Sequence, residues 1–137
     1  MLYYDTALAS WVDRPGSKSA PWITPVLTVG ATHAISVTFI DGYDTQNVSG
    51  ATWFLGVKST LDFAGDYVGS NAAPTESGED AIDFILDLDT VAAKAYFTAN
   101  PTVDTLACTL QITWTITNKE VTAPMDVVLQ NTYLQDQ

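Results

Sequence analysis

Few side chains in this sequence could do covalent chemistry. It holds one cysteine, Cys108, and one histidine, His33. A thiol nucleophile would need those two to meet. Cys108 sits on the inward face of the strongest strand pattern in the sequence, where a cysteine is a small buried hydrophobe. His33 opens a strand and has no acidic residue placed to orient it. No Gly-rich phosphate loop and no Gly-x-Ser-x-Gly elbow occurs. Carboxylates are the abundant reactive type. Asp83, Asp87 and Asp89 share one exposed face and could chelate Ca²⁺ or serve as an acid/base pair. There is no Asp-x-Asp-x-Asp-Gly loop, however, and Asp89 reads better as a helix cap. Asp62 and Asp66, with Glu76, Glu79 and Asp80, read as solvated charge. The expectation is therefore no catalytic residue, no metal and no cofactor.

Aromatics are the remaining candidates, since exposed rings bind sugars and partner chains. Trp53 and Trp114 fall among inward-facing residues and read as core. Tyr3, Tyr4, Trp11 and Trp22 are less constrained, because Pro15, Gly16, Pro21 and Pro25 break up their segment. Residues 1–25 are expected to form an irregular aromatic arm. It lies across its own domain or docks on a neighbouring subunit or larger assembly. The four aromatics are the candidate interface.

The 137 residues amount to about one domain, large enough to bury a core without staples. Sixteen acids against five bases leave a net charge of −11. That argues against nucleic acid, which needs a basic footprint, and against anionic membranes. The charge is uneven. Residues 1–60 carry four acids and three bases, and residues 61–137 carry twelve and two. A single cysteine excludes an internal disulfide. No signal peptide or membrane-spanning run is visible, so synthesis in the cytoplasm is expected and the Asn47-Val48-Ser49 sequon reads as chance.

From residue 26 the hydrophobic period is two. Ile35, Val37 and Phe39 make one buried face; Trp53, Leu55 and Val57 another; Ile82, Phe84, Leu86 and Leu88 a third. Residues 64–80 read as a long exposed loop with a short strand near Tyr67-Val68. Asp89 is expected to cap a helix over Thr90–Phe97, ended by Asn100-Pro101. Leu106, Cys108, Leu110, Ile112, Trp114 and Ile116 then predict a long central strand. An Asn118-Lys119 turn leads to a partner strand running from about Val121 to Tyr133, with Pro124 at an edge or bulge. The expected fold is all-β, an immunoglobulin-like sandwich of about seven strands with one short crossover helix. The arm would be residues 1–25 and the sandwich residues 26–137.

Residues 48–58, Val-Ser-Gly-Ala-Thr-Trp-Phe-Leu-Gly-Val-Lys, resemble a stretch in phage baseplate and tail proteins. The resemblance is to N-terminal immunoglobulin-like domains of upper baseplate and tail-fibre proteins. It extends to the preceding strand Ala34–Ile40, to the acidic strand leading into a helix at Ile82–Thr90, and to the closing hairpin of Leu110–Thr117 and Met125–Leu134. It implies a bacteriophage virion structural protein, an assembly and attachment platform contacting other virion proteins. It also implies a homo-oligomer, with a trimer favoured. Such relatives continue into a fibre, whereas this chain stops at Gln137, and residues 1–25 have no counterpart in them. A capsid decoration or head-fibre protein is therefore an alternative within the same class. A carbohydrate- or receptor-binding module is the alternative from another class.

Overall fold

A computed structural model describes residues 2–21, 24–60 and 67–131. Expectations placed on Trp22, Asp62, Asp66, Tyr133, Leu134 and Gln137 lie outside them. The described residues form two packed β-sheets, an all-β sandwich.

Eleven strands are present among the described residues, more than expected, together with one helix. In chain order the strands are β1 (Leu2–Asp5), β2 (Ser10–Val12), β3 (Val26–Val29), β4 (Thr32–Asp41), β5 (Asp44–Thr45) and β6 (Thr52–Ser59). They continue with β7 (Gly69–Asn71), β8 (Thr75–Gly78), β9 (Ala81–Asp87), β10 (Thr105–Ile116) and β11 (Lys119–Asn131). The first sheet runs β2-β1-β4-β9-β8, with β5 paired to β4, and the second runs β3-β11-β10-β6-β7. Helix α1 (Val91–Ala99) crosses from one sheet to the other between β9 and β10.

The long strands follow from alternation. In β10 the buried set is Leu106, Cys108, Leu110, Ile112 and Trp114, with the residues between them more exposed. Leu55 and Val57 lie beside them on β6, and Ile35, Val37, Phe39, Ile82, Phe84 and Leu86 bury the inner face of the other sheet. Because strand side chains alternate faces, a slip of one residue would turn every one of these outward.

The β10–β11 hairpin closes one residue earlier than the sequence suggests. Ile116 pairs with Lys119, so the turn is Thr117-Asn118. Their φ values of 53° and 60° make it a type I′ turn, matched to strand twist. A two-residue hairpin exchanges both bonds at its closing pair, and alternate pairs thereafter. Pro124, opposite Gln111, falls at a non-bonded pair, so its missing N–H costs β10 nothing.

Two further local expectations are corrected. Thr90, not Asp89, caps α1: its Oγ1 accepts from the Ala93 N–H at 3.1 Å. Asp89 instead pairs with Lys94. The segment expected as a loop over residues 64–80 contributes β7 to the edge of one sheet and β8 to the edge of the other. Each is only three or four residues long, too short for a period to be read.

Candidate interface

The N-terminal segment is not an irregular arm set apart from a sandwich at residue 26. β1 runs parallel to β4, with Tyr4 beside Phe39, and β2 folds back antiparallel on β1. The prolines expected to prevent this all follow β2, beyond the hairpin. Asp5 accounts for the tight return. Its carboxylate is buried, and Oδ1 accepts from the N–H groups of Ala7 at 2.9 Å and Leu8 at 3.1 Å. Oδ2 accepts from Gly42 N–H at 3.2 Å, tying the hairpin to the end of β4. Three backbone donors satisfy a charge that would otherwise be costly to bury.

Tyr4 and Trp11 are consequently core residues, 3% and 9% exposed. Their rings meet edge to face at 5.2 Å, and Tyr4 meets Trp114 at 5.3 Å. Trp114 also touches Phe39 at 5.0 Å and Trp53 at 5.7 Å, so one aromatic cluster bridges both sheets. Burial pushes the Tyr4 phenol above its ordinary pKa. The Trp11 N–H donates to the Pro124 carbonyl at 2.9 Å. That carbonyl is free because the non-bonded register aims it away from β10. Tyr3 points to the other face and is half-buried. Of the candidate interface residues, Tyr4 and Trp11 are thus joined inside the molecule, Tyr3 flanks them, and Trp22 is outside the described residues. Beside them lies a groove of about 410 Å³ lined by Trp11, Ala20, Pro21, Thr24, Pro25 and Met125, among others.

The groups considered for chemistry are dispersed. Cys108 is 1% exposed, and burial pushes its thiol from 9.0 to about 11, which keeps it a neutral thiol at physiological pH. His33 lies in the other sheet. Its Nε2 accepts from Thr28 N–H at 2.9 Å and lies 3.0 Å from the Thr28 carbonyl, linking β4 to β3 across the sandwich. Asp83 sits on β9 opposite Ser36. Asp87 Oδ1 accepts from Asp89 N–H at 2.8 Å. Glu76 binds the loop before β6 through Gly50 N–H at 3.0 Å and the Ser49 hydroxyl at 3.3 Å. Among the described residues, no group of three or more His, Cys, Asp or Glu is placed to hold a metal ion.

One constellation was missed from the sequence. On the outer face of the second sheet, Tyr67 lies across Gly56, where a Cβ would collide with the ring. Phe54 meets that ring edge to face at 5.1 Å, and Lys58 Nζ stands 4.5 Å from its centroid. Thr109 and Gln111, directly across the ladder from Lys58 and Gly56, complete a recess of about 260 Å³. A glycine inside a strand weakens it unless another group approaches closely. Gly56 was the signal that could have pointed here.

A scan against protein-family models finds no match, and a search of curated proteins finds none either.

Proposed function

We propose that this protein is a bacteriophage virion structural component, a rigid platform on which tail, baseplate, fibre or capsid-surface parts assemble. The packing of two β-sheets is the observation that supports the reading beyond the sequence resemblance. The described strands form two packed sheets, ordered β2-β1-β4-β9-β8 and β3-β11-β10-β6-β7, and a two-sheet β-sandwich of this kind supports the reading. The likeness of residues 48–58 and the flanking strands to phage baseplate and tail-fibre domains implies a sandwich of immunoglobulin-like type. Two of the pairings are parallel, β1 with β4 and β3 with β11.

In this reading the two sheets and their bridging aromatics supply stiffness. Contacts with other virion proteins fall on exposed faces and edges rather than on Tyr4 and Trp11, which the core occupies. Threefold association comes from the resemblance alone, and cyclic symmetry would close the assembly. The net charge of −11 keeps unassembled copies apart.

The test is genetic and physical. Tail or capsid genes should flank the coding frame, and an epitope-tagged chain should co-purify with particles through a density gradient. Metabolic genes alongside, with the tagged chain absent from particles, would overturn the proposal. Light scattering of the pure protein separately reads the oligomer, as three times the 14.8 kDa chain mass.

A further inference from the structure

We infer that an uncovered stretch of the β4 edge, at Thr32 and Ala34, accepts an extended segment of another protein chain as an added strand. The inference does not rest on the virion reading; either can fail alone. Successive residues of a strand direct their main-chain N–H and C=O groups to opposite sides. Along β4 the odd-numbered residues face β9. The Leu88 N–H donates to the carbonyl of Ala31, just before β4, at 3.0 Å, and the Phe39 N–H donates to the Asp80 carbonyl at 2.7 Å. The even-numbered residues face the β1 side, where the Thr6 N–H donates to the Ile40 carbonyl at 2.8 Å. β9 pairs with residues 32–38 of β4, but β1 pairs only with residues 37–40. The N–H and C=O groups of Thr32 and Ala34 therefore point to a side on which, among the described residues, no strand pairs with them.

Donors and acceptors spaced along an extended backbone are matched by the backbone of another strand, which is how sheets recruit peptides at their edges. The stretch offers about three residues, roughly 10 Å at 3.3 Å per residue, so it holds a short segment end to end with β1. Natural edges are blunted by lysine, proline or a bulge. Residues 32–36, Thr-His-Ala-Ile-Ser, contain neither residue, and their register with β9 is unbroken. Thr32 and Ala34 are exposed and small, so their side chains do not screen the backbone. The residues between and beyond them are already engaged: Ile35 is buried, and the His33 ring is held at Thr28. The occupant thus binds chiefly by its main chain. Asp83 and Asp87 stand on β9, across β4 from the opening, and together with the charge of −11 they disfavour an acidic segment. A neutral or basic extended segment is what this edge fits.

The probe is the capped peptide Lys-Thr-Val-Thr-Val-Thr-Lys, titrated into the full chain and followed by amide NMR and hydrogen exchange. In the free chain, the Thr32 and Ala34 amides should exchange at least about 100-fold faster than that of Ile35. The peptide should give saturable shifts at Thr32 and Ala34 and slow their exchange, with a Kd of about 1 mM, as a few main-chain bonds allow. A fully N-methylated version keeps the charge but has no main-chain donors, and should not bind. Ala34→Pro removes an edge donor that β9 does not use, so it should keep the Tm within about 3 °C and weaken binding at least about tenfold. If that variant loses its fold, Thr32→Pro, at the first position of β4, decides by the same loss. Slow exchange at Thr32 and Ala34 in the free chain, or no saturable shift up to about 10 mM peptide, would overturn the inference. So would shifts centred elsewhere, equal binding of the N-methylated peptide, or undiminished binding by the folded proline variant.

Discussion

Asp5 shows how one polar residue can decide whether a terminal segment belongs to a domain. Its carboxylate accepts from Ala7, Leu8 and Gly42, two of them in the turn and one at the end of β4. Asp5→Ala leaves those donors short of partners and should cost about 3 kcal/mol, read as a lower urea midpoint at unchanged slope. Asp5→Asn keeps one oxygen for the turn and should cost less; equal losses would mean that charge, and not these bonds, matters. Trp114 tests the other side of the same region. It contacts Tyr4, Phe39 and Trp53 at once, so Trp114→Ala should cost about 3–5 kcal/mol. A mutant that keeps its melting temperature would contradict the register of β10. Cys108 and Tyr4 give a pH signature. Burial raises both folded pKa values above the unfolded ones, so their contribution is fully present below the unfolded values. For Cys108 it is lost as pH rises from 9.0 through about 11. Stability should fall across that alkaline window, and a thiol reagent at pH 8 should label Cys108 only after denaturant is added.

Elements differ in how far their residues announce them. β4, β6, β9, β10 and β11 each bury alternate residues over seven to thirteen positions, long enough for the period to stand out. β1, β2, β7 and β8 span three or four residues and are held by what lies next to them, which no local period records. Trp11 reads as an unplaced aromatic until Pro124 is seen to turn its carbonyl outward, 113 residues away. Tyr67 is likewise explained only by Gly56 across the sheet. The helix start falls one residue later than expected because Thr90, like Asp89, carries a capping oxygen, and it is Thr90 that accepts from Ala93 N–H. The turn of the long hairpin is the element most open to improvement. Thr117 and Asn118 both adopt positive φ, which a β-branched threonine resists. Replacing the pair with Asn-Gly should stabilise the fold by about 1 kcal/mol and raise the Tm by roughly 3–5 °C. A lower Tm would show that the turn is not type I′.

At the scale of the whole molecule, the N-terminal hairpin is part of the domain and not an appendage to it. β1 covers one edge of β4, and Tyr4 and Trp11 complete the aromatic cluster that joins the sheets. Deleting residues 1–25 removes both rings and leaves β4 with an open edge, a template for pairing with other chains. Large aromatic truncations cost about 3–5 kcal/mol each, against a total stability of roughly 5–15 kcal/mol for a domain. The truncated protein should therefore lose its cooperative thermal transition in circular dichroism and become aggregation-prone. Electrostatics will not confuse the result. Residues 1–25 contain Asp5 and Asp13 against Arg14 and Lys18, two acids and two bases, so the deletion leaves the net charge at −11. Any loss of folding then reports lost packing and an uncovered edge, not altered self-repulsion. The opposite result would be equally clear. A truncated chain that melts at the parent temperature would show that the hairpin adds little to the core, and would return Tyr4 and Trp11 to the list of residues free to contact another subunit.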